Sequence, residues 1–572
     1  MKKPLLTKYY WPLPLLFWLL SFGFVGAADQ PNILVYLSDD HSQFDSSLYG
    51  NSNIPAPEFE RLASDGITFT HAFVASPSCA PSRAALLTGL MPARNGAEAN
   101  HTYPKPGTHS LIQDLQSAGY EVAAFGKVAH GGPKQVKRYG FDHIGKGKRI
   151  EQVRGEVELF LSQRKSNKPL CLFVGTSNPH VSWTSPSTFD PTKVEFPPHH
   201  IDTPSTREHR AAYYQEIKEL DAFLGDLRSL AAKELGDNVL FIHTSDHGSQ
   251  WPFGKWNLYD YGIRVPFIAS WQGKIASGTR TDAMISWIDL LPTMIEIGGG
   301  QIPEQLDGRP FTKVLLGKKT DHRQRIFTTH TGDGVKNIFP IRSIRTRDWK
   351  LIHNLHPEFA HTNHSDLDRK PMAGAYWTEW AELAKTGGRA KAIVERYFER
   401  PEWELFHVKD DKWEQQNLIG DPAHADRIAA LKQELENWMV SQADQQLVHS
   451  EPRLLKDPQR WHPDSFKSSI WKPVDLPMKT QWTSQVTPQN ALPEHPQPLF
   501  KREDWVSLNG LWNYKIERVD FEAVQGLISV PSMTEGRLPR DWDGQMLVPY
   551  AVDSPLSGVM HILRPQERIW YE

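Results

Sequence analysis

Four continuous apolar runs, at 32–37, 121–125, 170–175 and 239–243, constrain this chain more than any other feature. Each predicts a strand buried on both faces. Stretches of helical character at 57–64, 110–118 and 208–230 lie between them. Alternating strands and helices imply an α/β fold built on a largely parallel sheet. Ligands of such sheets bind beyond the carboxyl ends of the strands, so the residues just after each run are where chemistry is to be sought.

Those residues are unusually polar. Ser38-Asp39-Asp40-His41 follows the first run and Thr244-Ser245-Asp246-His247-Gly248 follows the fourth. Asp-Asp after one strand is commonly a cap. A second acidic cluster at the end of another strand favours a shared cation, because uncompensated carboxylates at one edge repel and titrate upward. Asp39, Asp40 and Asp246 are hard oxygen donors, which favours Ca2+ or Mg2+. His247 is then a nitrogen ligand or a neighbour.

The most specific segment is Cys79-Ala80-Pro81-Ser82-Arg83-Ala84-Ala85-Leu86-Leu87-Thr88-Gly89. Pro81 suits the first turn of a helix, which sets residue 79 against free N–H groups, a ready anion site. Arg83 lies one turn on, on the same face, where it can pair with an anion. A small buried Cys before an ordinary helix is the plainer alternative. The other cysteine is Cys171, and two cysteines in 572 residues exclude a disulfide framework.

The ends of the chain read differently from its middle. Met1-Lys2-Lys3, an uncharged apolar stretch at 11–25 and the small residues Val25-Gly26-Ala27-Ala28 have the pattern of a secretory signal over 1–28. Pro12 and Pro14 argue against a spanning helix, so the expectation is export to a periplasm, the medium or a secretory lumen, without stable membrane insertion after cleavage. With 64 basic against 67 acidic side chains, a nucleic-acid-coating surface is not expected. Strand character at 340–353 and an amphipathic helix at 422–440 suggest a smaller α+β subdomain. Nine prolines between 452 and 498 mark a linker, and short runs at 505–516, 527–530 and 559–563 have an all-β texture. The expected division is a catalytic domain over 29–320, its subdomain over 321–450, a linker over 451–498 and a β tail over 499–572.

The pentapeptide Cys79-x-Pro81-Ser82-Arg83 followed by Leu87-Thr88-Gly89 resembles the signature of the type I sulfatases, the formylglycine-dependent branch of the alkaline phosphatase superfamily. The resemblance runs from about 31 to 444. It includes Phe125-Gly126-Lys127, Asn178-Pro179-His180, Asp289-Leu290-Leu291-Pro292-Thr293 and Leu306-Asp307-Gly308. Asn257-Leu258-Tyr259 and 350–355 look most like the heparan N-sulfatase (sulfamidase) group. His247, where the family commonly has Asn, and the spacing Lys127-Val128-Ala129-His130 look like the iduronate-2-sulfatase variant. The tail, with Trp505 to Trp512, Val548-Pro549-Tyr550 and 554–559, is similar to the start of the sugar-binding jelly roll of glycoside hydrolase family 2, without its catalytic barrel.

The resemblance implies an alkaline-phosphatase-like sheet sandwiched by helices. It implies a sulfatase acting on a sulfated saccharide, with Cys79 oxidised to formylglycine by a dedicated maturation enzyme, and with O-sulfate and N-sulfate both open. A sulfate ester is an anion, so positive groups must offset charge on the sulfonyl and leaving oxygens; the metal, Arg83, Lys127 and Lys255 are the candidates. His180 is the candidate general acid, and His130 assists the hydroxyl of modified residue 79. The rival readings are a phosphatase or phosphodiesterase on the same fold, which would normally carry Ser or Thr at 79, and a non-enzymatic glycan-binding protein.

Overall fold

The computed structural model describes residues 30–456, 485–487, 491, 508–518, 542–563 and 567–572. The signal-like segment, most of the proline-rich stretch and the run at 527–530 lie outside the described residues. The chain divides into two compact units after Pro452.

The larger unit is built on an eight-stranded sheet. In chain order its strands are β1 (Asn32–Ser38), β2 (Ile67–Phe69), β4 (Glu121–Gly126), β5 (His143–Ile144), β6 (Leu170–Gly175), β7 (Val239–Ser245), β8 (Phe267–Trp271) and β9 (Thr279–Thr281). A short pair, β3 (Ala72–Phe73) with β10 (Ile285–Ser286), lies outside it. The spatial order is β5-β4-β6-β1-β7-β8-β2-β9. The four runs singled out by apolarity are its centre, β4-β6-β1-β7, all parallel. The sheet as a whole is mixed, because β8 runs antiparallel to both β7 and β2. A loop suffices to join β7 to β8, with no long crossover helix between them.

Alternation along the strands fills two layers. Leu34, Tyr36, Ala123, Phe125, Leu172 and Val174 pack with Phe59 and Leu62 of the helix Pro57–Ser64, Val153 and Val157 of Ile150–Gln163, and Leu220, Leu224 and Leu227 of Pro204–Leu235. Ile33, Val35, Leu37, Val122, Ala124 and Phe173 turn to the other face and are equally buried. The helices Cys79–Thr88, Leu111–Ser117 and Leu290–Ile297 pack against one another in that second layer. The helix predicted at 208–230 is longer, starting at Pro204 with Thr203 as a cap that accepts from the Thr206 N–H.

The strand ends at the functional edge are shaped by glycine. Gly126 and Gly175 are register partners at the ends of β4 and β6. Gly126 has φ +75°, and a Cβ there would stand 1.8 Å from the Gly175 carbonyl oxygen. Only glycine lets the chain turn there and present Lys127.

A four-stranded antiparallel sheet belongs to the same unit: β11 (Ile326–His330), β12 (Ile341–Arg345), β13 (Trp349–Asn354) and β14 (Trp403–His407). It packs on the amphipathic helix Ala425–Ser441 through Leu351, Leu405, Leu431 and Leu435. It is tied to the loop after β7 by a buried charge network. Arg345 Nη2 and Lys350 Nζ meet the Asp260 carboxylate at 2.9 and 2.5 Å, and Lys350 Nζ also meets Glu414 at 2.7 Å. The described part of the second unit is a three-stranded antiparallel sheet, β15 (Gly510–Arg518) between β16 (Gly544–Val548) and β17 (Glu567–Tyr571). The run at 559–563 is not a strand there, because Gly558 and Met560 both have positive φ and turn the chain.

Removing one partner of a buried charge network leaves the others uncompensated. Lys350→Met should lower the free energy of unfolding in denaturant by about 3 kcal/mol. A change below ~1 kcal/mol would show that the network does not carry the attachment of this sheet.

Candidate active site

The carboxyl ends of β1 and β7 lie side by side, which brings Asp39 and Asp40 against Asp246 and His247. All four are fully buried. The Asp40 N–H donates to Asp246 Oδ1 at 3.1 Å, so the two acidic segments are joined through the backbone. Cys79 opens the helix Cys79–Thr88 and aims its Sγ into the cluster, 3.4 Å from His247 Nε2 and 3.6 Å from Asp39 Oδ1. Pro81 lies in the first turn of that helix, as expected, and Ser78 is its cap. Residue 79 is therefore part of the first turn, at the positive end of the helix.

Three cations balance these acids. Arg83, one turn from Cys79, donates through Nε to Asp246 Oδ2 at 2.9 Å and lies 3.7 Å from Asp39. Lys127 pairs with Asp39 Oδ2 and stands 3.5 Å from the Cys79 sulfur. Lys255 donates to both oxygens of Asp40 at 2.9 and 3.1 Å. Burial alone would raise the Cys79 thiol, but Lys127, Lys255 and His247 outweigh it and hold the thiol well below its ordinary value. Burial pushes Asp246 up to about 7, and the neighbouring Asp39 charge adds to that rise against Arg83. Burial would lower His247, yet Asp246, Cys79 and Asp40 raise it to about 9. Each acid of the cluster thus has a cationic neighbour, and Asp246 is the one that burial brings nearest to neutrality.

The same groups also bring together atoms that could hold a metal. One ligand atom each from Asp39, Asp40, Cys79 and His247 lie within 4.8 Å of one another, all buried. Asp246 adjoins them, its Oδ2 3.5 Å from His247 Nε2. Three carboxylates and an imidazole fit a hard divalent ion better than a soft one.

The two candidate proton-handling histidines stand at the open side. His180 follows β6, and its Nε2 is 3.9 Å from Asp40 Oδ2. Its Nδ1 donates to the Val181 carbonyl at 2.6 Å, which leaves Nε2 facing the cluster. The His180 side chain is 30% exposed and that of Lys127 19%, whereas those of Asp39, Asp40 and Arg83 are at 0%, so the cluster opens on the His180 side. His130 follows β4, close enough to Cys79 to help lower its thiol. Its Nδ1 is buried without a hydrogen-bond partner among the described residues. Every site residue expected from the sequence thus lies in one place.

The structure adds residues that the sequence did not single out. His130 Nε2 and His101 Nδ1 share a hydrogen bond at 2.8 Å. His101 Nε2 in turn meets Asp333 Oδ1 at 3.3 Å. Asp333 also accepts from Trp256 Nε1 at 2.7 Å and from Asn100 Nδ2 at 2.9 Å, while Asn100 Oδ1 accepts the Ala80 N–H at 3.1 Å. Asp333 lies 233 positions beyond Asn100 and belongs to no strand-end motif. Only the tertiary fold reveals that it supports the Cys79 turn.

With this geometry established, comparison with known proteins is decisive. The family model described as Sulfatase matches residues 31–300, and the one described as N-sulphoglucosamine sulphohydrolase, C-terminal, matches 247–376. An ulvan-active sulfatase of Formosa agariphila is 33% identical over 429 residues, covering 73% of this chain and 81% of that protein. The chain belongs to the sulfatase family. Human N-sulphoglucosamine sulphohydrolase is 27% identical over 469 residues, covering 71% of this chain and 89% of that protein. Among solved structures, BT4656 in complex with its substrate D-glucosamine-2-N,6-O-disulfate has a TM-score of 0.57 at 20% identity, covering 74% of this chain and all of that one, a likeness of fold. The fold is that of the alkaline phosphatase superfamily, and the protein is a sulfuric ester hydrolase.

The His101 contact generates a test. Its side chain is 60% exposed, so its loss should cost little stability, and its φ of 64° is one that Asn tolerates. His101→Asn should lower kcat for sulfate release by about tenfold with KM little changed, because His130 loses the group that orients it. An unchanged kcat would mean that the His101–Asp333 arrangement does not support His130.

Proposed function

We propose that the sulfatase removes sulfate from a sulfated saccharide, as an O-sulfate or an N-sulfate, through residue 79 in its formylglycine form. The observation that carries this reading is the buried Cys79 side chain, facing three carboxylates, Arg83, two lysines and two open-side histidines. The names of the similar proteins, an ulvan-active sulfatase and an N-sulphoglucosamine sulphohydrolase, support a glycan as the substrate class. A maturation enzyme acting on Cys79-x-Pro81-Ser82-Arg83 is the implied partner, and Ca2+ the implied metal, held by Asp39, Asp40, Asp246 and His247.

Residue 79 would carry the formylglycine, which would supply a hydrated aldehyde as the nucleophile, and Asp39, Asp40, Asp246 and His247 would hold the metal, which would supply positive charge toward the sulfonyl oxygens. The remaining work belongs to side chains. The helix N-terminus and Arg83 favour negative charge at residue 79. Lys127, at the open side, and Lys255, buried on Asp40, would offset the charge of the substrate's sulfonyl group. His130, with a free Nδ1, takes the proton of the attacking hydroxyl. His180 carries a proton on each nitrogen when it acts: Nδ1 stays on the Val181 carbonyl and Nε2 gives its proton to the leaving oxygen or nitrogen.

No helix among the described residues is long and apolar enough to cross a membrane. Export by the segment 1–28 belongs to this proposal, as does the division into 29–320, 321–450, 451–498 and 499–572. In that division the catalytic groups all precede the linker and the tail is a sugar-binding accessory.

The test is sulfate release from defined O- and N-sulfated saccharides, by the full chain and by a chain ended after Pro452. Both should release sulfate from a small substrate at similar rates. Exhaustive chelation should abolish release and lower the unfolding temperature, and Ca2+ should restore both. Release that survives chelation in a metal-free preparation, or that needs the tail on a small substrate, would contradict the corresponding part of the proposal.

A further inference from the structure

A cavity of about 310 Å³ opens beyond the carboxyl ends of β4, β5 and β6, next to the cluster beyond β1 and β7. Lys127 and His130 belong to both sites, and Gly132, Lys146, Lys148 and Ser177 line the rest. Its size falls at the lower end of ligand pockets, roughly 300–1,000 Å³. No acidic side chain lines it among the described residues. Lys146 and Lys148 are exposed, and among the described residues their ammonium groups have no acidic partner.

The segment that carries these lysines is held in place by other groups. The N–H groups of Lys146 and Gly147 each donate to the Glu156 carboxylate at 3.0 Å, so Glu156 is engaged with the backbone. Ser177 Oγ donates to the Lys148 carbonyl at 2.9 Å, which joins the segment after β5 to the segment after β6. The two lysines are thus not needed to hold the loop. In a cleft lined by one sign of charge they attract an anion more strongly than scattered surface lysines would.

We propose that this cavity is a subsite for a second anionic substituent of the substrate, a carboxylate or a further sulfate, on the sugar residue adjoining the one that is desulfated. The inference rests on the reading that the substrate is a sulfated saccharide. Continuity through Lys127 and His130 places the subsite beside the reacting sulfate, where an adjoining sugar of the same chain would extend. Ammonium groups on flexible stems are point charges and accept either anion without demanding planar, two-pronged geometry. The cavity therefore selects for a charged neighbour.

Two variants of the full chain separate this from a structural role. Lys146→Ala with Lys148→Ala removes the positive charge. Gly132→Glu adds a negative one at a position where a Cβ meets nothing within 4 Å and φ is −88°, so the fold accommodates it. Three disaccharides with the same scissile sulfate are compared, their neighbouring sugar being neutral, carboxylated or sulfated, along with a small aryl sulfate. Both variants should lose about tenfold or more in kcat/KM, mainly through KM, on a charged-neighbour disaccharide, and stay within about twofold on the neutral one and the aryl sulfate. Which charged neighbour shows the loss identifies the anion. Equal losses on all four substrates, or none on any, would overturn the subsite. If the wild-type chain hydrolyses the aryl sulfate and no disaccharide, the saccharide reading itself fails.

Discussion

Three buried carboxylates within reach of one sulfur atom are the constraint on which the rest of this structure depends. Asp39, Asp40 and Asp246 stand at 0% exposure around Cys79, and burial would drive each toward neutrality if it were alone. Arg83 and Lys255 are buried with them and Lys127 is half-buried, each placed on a different acid. Asp246 is nevertheless pushed up to about 7, chiefly by burial. The cluster could also hold a divalent ion, and it opens to solvent on the side of His180 and Lys127.

The sheet supplies the convergence. Parallel pairing of β1 with β7 sets the two acidic segments side by side without any direct sequence link between them. The glycine pair Gly126 and Gly175 lets β4 and β6 end close together, which delivers Lys127 and His130 from one strand and His180 from the next. The helix Cys79–Thr88 then needs only to point its first turn at the same edge. The smaller sheet contributes Asp333 from just beyond β11, so the support of the Cys79 turn depends on the buried attachment through Asp260, Arg345 and Lys350.

Much of this was legible in the sequence because the signals are local. Continuous apolarity identified the four central strands, and the acids directly after two of them followed from strand polarity. Pro81 marked the helix and the spacing from Cys79 placed Arg83 one turn on, while the resemblance supplied the modification of residue 79. What was not legible depends on contacts between distant segments. The reversal of β8 follows from a β7–β8 connection that carries no crossover helix, a matter of tertiary path. Asp333, Asn100 and His101 lie in irregular segments whose composition is ordinary, and the cavity lysines follow β5, a two-residue strand that has no periodicity to detect. The run at 559–563 looked like a strand because hydropathy does not register the positive φ of Met560.

The central claim is that residue 79 takes the sulfuryl group and needs a second hydroxyl to release it. Mass spectrometry of the peptide spanning residue 79 in a Cys79→Ser variant, after incubation with substrate, tests it most directly. A serine hydroxyl in this environment can accept the group but has no route to eliminate sulfate. The account predicts one sulfate on residue 79 of that variant, stable over time, with no further turnover. Sustained multiple turnover by the serine variant, or sulfate release with residue 79 never modified, would contradict it.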